Sequence, residues 1–182
     1  MSLDNPGLDV SGRVRARDVQ TAAVADVRRR VLMVSGAVDV RDHDVSMCLY
    51  LPEPGRWQVI KSEANLTGDT WLAMQVTTDD DTIIISDDET MTMSRQFGRS
   101  FATPDGRRLT FYDGEVRPGE AVLKVFTIET STRHPTYAHS RYGVAGMDYD
   151  PAQTAAIVDE LVVEGLPQRP AVELFVPVTV IG

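Results

Sequence analysis

One cysteine, Cys48, is all that the 182 residues contain, so no disulfide can form within the chain. Long apolar runs are also missing, since no stretch approaches the roughly 20 residues that a helix needs to cross a bilayer. The first residues lack the basic start and apolar core of a signal peptide. These absences predict a protein without a membrane span, in the cytoplasm or at an intracellular site of assembly.

Positive charge is scarce as well. The formal net charge is −9, and Lys61 and Lys124 are the only lysines in the chain. An acidic chain repels the phosphate backbone, which argues against general nucleic-acid binding. The arginines near the amino terminus are interleaved with aspartates, so we interpret that segment as a solvated face of mixed charge.

Sequence signatures of catalysis are absent. The chain has no G-x-S-x-G or S-x-x-K nucleophile motif, no phosphate-binding P-loop and no dinucleotide fingerprint. The acidic runs at residues 79–81 and 87–89 lack the ligand spacing of a calcium loop and are typical of turns. No catalytic residue is therefore predicted, and no cofactor is expected.

What the chain does contain is a series of short segments in which apolar residues alternate with polar ones. Residues 45–51 alternate cleanly, Lys61 follows in phase with Trp57 and Val59, and Lys124 shares one face with Phe126. Turn signals such as Pro104-Asp105-Gly106 separate these segments. The pattern predicts a mainly β protein, either a β-sandwich or a partly closed barrel of about ten short strands.

Two helices are predicted beside the strands. The first covers about residues 19–30, where Val19, Ala23 and Val27 follow one another at the i+4 spacing of a helical face. The second covers residues 151–164. Asp150 is placed as its N-cap, Pro151 occupies the first helical position, and Gly165 can end the helix in a left-handed conformation.

These elements suit an amino-terminal arm at residues 1–9 and one β-rich domain over residues 10–182. The domain begins with a short strand at residues 10–15. It includes a long loop at 132–150, and the carboxy-terminal helix and strand follow. The final strand, residues 172–181, is too apolar for a free tail, so we expect it to complete the sheet or to pair with a neighbouring subunit.

The long loop is where we expect function, because loops on a rigid scaffold commonly carry it. It holds two of the three histidines and three of the five tyrosines. Tyrosine and arginine dominate protein contacts, since they combine broad area with a polar end. The predicted interaction residues are Arg133, Tyr137, Arg141, Tyr142 and Tyr149. The same set could line a small-ligand pocket or simply fasten the loop to the sheet.

A divalent metal is the minority interpretation of the same loop. His134 and His139, with Asp148, could supply imidazole and carboxylate ligands. The two histidines are five residues apart with Pro135 between them, a spacing that matches no common ligand pattern. The bland alternative is that one histidine hydrogen-bonds within the loop and the other is exposed.

Three functions remain open. The leading hypothesis is a non-catalytic structural or assembly subunit, or a protein-binding module, of the kind found in virion-like or tail-like particles. Its partner would be a second copy of the chain, in a homo-oligomer, or another protein. The alternatives are a small metal-dependent enzyme with its site in the loop 132–150, and a β-barrel carrier of a small ligand.

Overall fold

The computed structural model describes residues 19–182, so the predicted arm at 1–9 and the predicted strand at 10–15 lie outside the described residues. Twelve strands and one α-helix make up the described part. The first six strands are β1 Val19–Asp26, β2 Val31–Val38, β3 Asp44–Tyr50, β4 Gly55–Asn65, β5 Asp69–Thr78 and β6 Thr82–Ile85. The others are β7 Met93–Ser94, β8 Phe97–Ala102, β9 Arg108–Val116, β10 Ala121–Thr130, β11 Thr136–Ala145 and β12 Ala171–Ile181, with helix α1 Pro151–Glu164 before β12.

All twelve strands belong to one sheet that curls into a nearly closed barrel. Its strand order is β6-β10-β4-β2-β1-β12-β3-β11-β5-β9-β8, and β7 pairs with β10. At the seam, the amide of Ile84 in β6 donates a hydrogen bond of 2.7 Å to the carbonyl of Gly106 in the β8–β9 turn. The prediction of a mainly β, partly closed barrel is confirmed.

The barrel interior is filled by every second residue of the strands, because successive side chains point to opposite faces. In β4 the inward residues begin with Trp57 and Val59, and in β10 they include Phe126, all fully buried. Leu32, Leu49 and Leu174 are among the apolar residues contributed by other strands. The barrel therefore has a packed centre, in which any polar side chain must find its partners among its neighbours.

Helix α1 packs on the outside of the barrel. The Asp150 carboxylate accepts hydrogen bonds from the amides of Ala152 and Gln153, and Gly165 ends the helix at φ 96°, as predicted. Val158 and Val162 are the buried residues of the helix, and they pack in a second, smaller cluster on the sheet with Leu72 and Tyr112 among its members. No helix in residues 19–182 is long and apolar enough to span a membrane.

The predicted helix at residues 19–30 is wrong. This segment is strand β1, which ends at Asp26, followed by a turn over residues 27–30. The Asp26 carboxylate accepts the amides of Arg28 and Arg29, both at 3.1 Å, and thereby stabilises the turn. Strand β1 pairs with both β2 and β12, so sheet hydrogen bonds and a buried position for Ala23 outweigh an i+4 pattern of valines, which suit strands equally well.

The predicted long loop at residues 132–150 is also wrong, because β11 occupies residues 136–145 in the middle of it. The sequence of β11 does not show the usual alternation of apolar and polar residues, because its inward residues Tyr137, His139 and Arg141 are polar or only partly apolar. The final strand was predicted to complete the sheet or to pair with a neighbour. Here β12 lies between β1 and β3, and it is parallel to both.

Candidate functional site

Both lysines of this chain are buried inside the barrel. The exposed fraction is 0% for Lys61 and 1% for Lys124. Lysine is almost never fully buried unless it is paired, because removing an ammonium group from water is costly. A protein that places its only two lysines in its core therefore has an unusual interior.

The positions of the lysines follow from strand parity and register. Lys61 is inward because it is in phase with Trp57 and Val59 in β4, and Lys124 is inward in β10. The antiparallel pairing of these strands puts Lys124 directly opposite Lys61. Like charges at opposing positions destabilise a sheet, so this pair needs an acidic neighbour. Glu63, two residues further along β4 and also inward, is that neighbour.

Strand β11 completes the group from another part of the barrel wall. It is five positions away from β4 in the strand order, and His139 on β11 reaches Lys61 through the interior. Nζ of Lys61 lies 2.7 Å from Nδ1 of His139 and also contacts Nε2. The Tyr137 ring stacks on the His139 ring with 5.2 Å between centroids. We call the six buried residues the interior cluster: Lys61, Glu63, Lys124, Tyr137, His139 and Arg141.

Glu63 is the carboxylate around which the cations of the interior cluster are arranged. Its Oε2 lies 3.2 Å from Nζ of Lys61 and 3.4 Å from Nδ1 of His139, and its Oε1 lies 3.9 Å from Nζ of Lys124. Burial alone raises the pKa of Glu63, but the charges of Lys61, Lys124 and Arg141 outweigh burial, so its pKa lies below the ordinary value. Glu63 therefore stays ionised in the core.

The pKa values of the two lysines are lowered as well, but in a lysine a lower pKa favours the uncharged form. Burial lowers the pKa of Lys61 to about 7, against a favourable contribution from Glu63, and Lys124 adds to the lowering. The pKa of Lys124 is also lowered by burial. At neutral pH a substantial fraction of Lys61 is consequently the free amine, which can act as a base or a nucleophile.

Three polar atoms of the interior cluster lack a hydrogen-bond partner within residues 19–182: Glu63 Oε1, the Tyr137 hydroxyl and Arg141 Nη1. Burial also raises the pKa of Tyr137, so its hydroxyl keeps its proton and remains a donor. Buried polar groups in folded proteins are nearly always hydrogen-bonded, and each exception calls for an explanation such as strain, a catalytic role or a bound water or ion. The cluster thus offers one acceptor and two donors.

Arg141 connects the interior cluster to one end of the barrel. Its Nη2 donates hydrogen bonds to the carbonyls of Val40, at 3.0 Å, and His43, at 2.7 Å. Arg41 and Asp69 lie over the same end, joined by an ion pair of 2.6 Å. A crevice of about 10 Å³, lined by all of these except His43, has room for one water molecule. We call this end, with Arg41 and Asp69, the mouth of the barrel.

A larger cleft of about 410 Å³ lies outside the barrel, between helix α1 and β9. Leu72, Tyr112 and Val158 are among its apolar residues, and Tyr149 at its edge donates a hydrogen bond to Glu115. The residues that line this cleft include none of the interior cluster. Its volume suits a small molecule, but the buried ionisable groups are in the barrel, and we place the candidate site there.

The structure places the predicted metal ligands in different surroundings. His139 is buried beside Lys61, whereas His134 is exposed and packs edge-on against Tyr50, with ring centroids 4.8 Å apart. Asp148 is exposed after the end of β11. Within residues 19–182, no group of three or more His, Cys, Asp or Glu side chains could hold a metal ion.

The predicted interaction residues are divided between the two sides of the barrel wall. Tyr137 and Arg141 belong to the interior cluster. Arg133 is exposed and donates to the carbonyl of Leu51 at 3.4 Å, while Tyr142 and Tyr149 pack against the cluster under helix α1. The five residues therefore do not form one surface. The segment was expected to be a loop, but most of it is a strand, in which alternate side chains point to opposite faces of the sheet.

Lys61, Glu63 and Lys124 were not among the predicted site residues. A signal for them exists in the sequence, since both lysines occupy positions in phase with apolar residues of their strands. A lysine that shares a face with apolar residues lies either at the end of its strand or in the core. The sequence does not distinguish these two positions, whereas the register of β4 with β10 does.

The chain belongs to DUF6423, a family of unknown function, whose model matches residues 21–182. That match begins within β1 and covers the rest of the barrel and helix α1. Neither the curated proteins nor the solved structures include a significant match to the chain.

Proposed function

We propose that this barrel binds a small organic anion at its interior cluster. The observation that carries the proposal is the burial of both lysines of the chain around one glutamate, beside polar atoms that lack a partner within residues 19–182. This choice corresponds to the third of the functions left open by the sequence, a β-barrel that carries a small ligand.

Charge favours an anion over a cation or a neutral ligand. Within the interior cluster the side chains of Lys124 and Arg141, together with the protonated fraction of Lys61, accompany one carboxylate, that of Glu63. The chain as a whole has a net charge of −9. A local excess of positive charge in a low-dielectric interior is unfavourable by itself, and an anionic ligand would offset it.

The unpartnered atoms favour a carboxylate with a further polar group. A carboxylate could accept from Arg141 Nη1 and the Tyr137 hydroxyl, the two free donors of the cluster, while a ligand hydroxyl or amide could donate to Glu63 Oε1. Phe126 lies beside Tyr137, with ring centroids 6.4 Å apart, and offers an apolar wall. The ligand class is therefore a compact carboxylic acid with an apolar body.

The mouth of the barrel offers the route to this site. Arg41 and Asp69 close it through an ion pair in which the Arg41 side chain is 59% exposed. Exposed ion pairs contribute little to stability, so separating this one costs little. The crevice next to Arg141 has a volume of only about 10 Å³, so the proposal requires that Arg41 and side chains of the packed centre move when the ligand binds.

The test is titration of the purified protein with benzoate, followed by tryptophan fluorescence and thermal unfolding. Trp57 and Trp71 are the only tryptophans, both line the barrel, and Trp71 lies under the Arg141 guanidinium at 5.2 Å. We expect saturable quenching and a raised Tm for the wild type. Lys124→Met should weaken binding about tenfold or more, because it removes one buried positive charge. Arg29→Met is the matched control, since the Arg29 side chain is 81% exposed.

Equal benzoate affinity in the wild type and Lys124→Met would contradict this placement of the site. Glyoxylate, a smaller carboxylate, serves as a second probe. If neither benzoate nor glyoxylate changes the Tm, and native mass spectrometry finds no retained organic acid, the proposal is wrong. Circular dichroism of Lys124→Met distinguishes lost binding from lost fold.

Assembly remains a second candidate, favoured by an apolar group on the outer face of β3 and β12. Tyr50 is 42% exposed and Phe175 is 40% exposed, and their ring centroids are 6.5 Å apart. Exposed aromatic groups of this kind are enriched in protein interfaces. We propose that a second copy of the chain covers this face.

A further inference from the structure

We infer that Lys61 is a nucleophilic amine that condenses with the carbonyl group of a small oxo acid, an aldehyde or ketone that also carries a carboxylate. This inference rests on the proposed function, because the ligand is still an anion bound at the interior cluster. The ligand now also carries a carbonyl group, which forms a covalent bond with Lys61. It makes the interior cluster a reaction site in addition to a binding site.

The surroundings of Lys61 carry the inference. Nζ of Lys61 lies close to two groups that can accept a proton, His139 Nδ1 at 2.7 Å and the ionised Glu63 carboxylate, whose Oε2 is 3.2 Å away. An amine that attacks a carbonyl must lose a proton, and these acceptors are placed to take it up. Nζ of Lys61 also lies 5.4 Å from the centroid of the Tyr137 ring, and the hydroxyl of that residue lacks a partner within residues 19–182, so it can donate a hydrogen bond to a ligand.

Burial supports the same role. It holds the pKa of Lys61 at about 7, so the free amine exists at neutral pH, whereas an ordinary lysine is almost entirely protonated there. Burial also keeps bulk water from the product, which would otherwise be hydrolysed.

The lone pair of the neutral Lys61 amine forms a C–N bond to the carbonyl carbon, and the carbonyl oxygen takes up a proton to become a hydroxyl. The nitrogen, positively charged after this attack, releases one of its two protons to a neighbouring acceptor such as His139 Nδ1. The hydroxyl then leaves as water with a second proton, while the nitrogen lone pair forms the C=N bond. One oxo acid, one amine and one proton give one protonated imine and one water. The ionised Glu63, 3.2 Å from the nitrogen, stabilises its positive charge.

Lys61 is a better nucleophile than Lys124 on geometric grounds. Nζ of Lys124 is 3.9 Å from Glu63 Oε1, beyond hydrogen-bond distance, whereas Lys61 contacts both Glu63 and His139. Lys124 opposes Lys61 in register and so acts on it as a charge, which holds the pKa of Lys61 down together with burial. We assign Lys124 as a positioning and anion-binding residue.

Reductive trapping tests this directly, because the chain has only two lysines. The folded protein is incubated with glyoxylate and cyanoborohydride, and the product is examined by intact mass and peptide mapping. We expect one added probe, less one oxygen atom, on Lys61. The variant Arg29→Lys supplies an internal reference, since it introduces a lysine at an 81% exposed position. Lys61 should be trapped at pH 7 at least about tenfold faster than this reference, from the difference in free amine.

Acetaldehyde, which has as many carbons as glyoxylate but no carboxylate, separates the two proposals. Trapping of glyoxylate on Lys61 with little acetaldehyde supports both. Equal trapping of the two supports the amine and contradicts the anion site. A glyoxylate-induced rise in Tm without trapping on Lys61, or with trapping only on Lys124 or the introduced lysine, overturns the imine and leaves anion binding intact.

Discussion

At the scale of single residues, the barrel carries a cost that its apolar core must offset. Lys61 is charged in the unfolded chain up to its ordinary pKa of 10.5, but in the folded protein burial lowers that pKa to about 7. The unfolded state therefore binds more protons between these values, and stability rises with pH across that window. Below pH 7 both states are charged and the full penalty applies.

We predict that Lys61→Met raises the free energy of unfolding at pH 6 by on the order of a few kcal/mol, because the lowered pKa shows that the charge of Lys61 is unfavourable in the fold even with Glu63 beside it. Methionine keeps the length of the side chain without its charge. Glu63 keeps Lys124 and Arg141 as cationic neighbours. The advantage should shrink between pH 7 and pH 10, since the wild type loses its penalty there. Urea unfolding at pH 6, 7.5 and 9 measures it.

A variant that is less stable than the wild type at pH 6 would contradict this prediction. It would show that the ion pair with Glu63 outweighs the desolvation of the lysine. Arg29→Met, which alters an exposed charge, should show little change in stability at any of the three pH values.

At the level of secondary-structure elements, helix α1 is specified by residues close to it in the sequence, whereas strand β11 depends on distant strands. The helix is specified by residues within or next to it, since Asp150 caps its start and Gly165 its end. Strand β11 has no such signals. It exists because β3 and β5 pair with its two edges and because the interior cluster accepts its polar inward face.

The helix gives a clean prediction because it has two neighbouring valines in opposite environments. Val162 is 5% exposed and packs under the helix, whereas Val163 is 74% exposed. Val162→Ala should lower the free energy of unfolding by about 2 kcal/mol through lost burial and a cavity. Val163→Ala should leave it unchanged or slightly raised, since alanine is the better helix former. Equal effects, measured by urea unfolding, would mean that the helix is not docked on the sheet.

At the scale of the whole molecule, the barrel is held together by pairings between distant segments. Strand β12 is the clearest case, since the last strand in the chain lies between β1 and β3. Its removal would open the barrel in the middle of the sheet and unfold the protein, so truncation of β12 cannot report on assembly. Substitutions on its outer face can, because they leave the inward residues Leu174 and Val176 in place.

We predict that the wild type is a homo-oligomer and that Phe175→Glu lowers its mass toward that of one chain. Phe175 is 40% exposed beside Tyr50 on the outer face, and a charge at the centre of an apolar interface is strongly unfavourable. Val163→Glu, on the exposed face of helix α1, is the matched control. Light scattering measures both, and a monomeric wild type would contradict the assembly proposal.

Local patterns in the sequence were enough to predict individual strands and helix α1. Alternating segments such as residues 45–51 predicted strands, and Asp150, Pro151 and Gly165 predicted helix α1 at both ends. Alternation and capping act between neighbours in the chain, so they survive without knowledge of the fold. The number and spacing of these segments predicted a mainly β fold and left a sandwich and a partly closed barrel open; the pairing of the strands in one sheet decides for the barrel.

Only the tertiary structure decided where the polar residues go. The i+4 valines of residues 19–30 predicted a helix, yet pairing with β2 and β12 makes the segment a strand. His139 and Lys61 are 78 residues apart and meet only because the sheet curls on itself. Register opposes Lys124 to Lys61, and closure removes both from water. Register and closure are properties of the whole sheet, which is why the candidate site emerged from the fold.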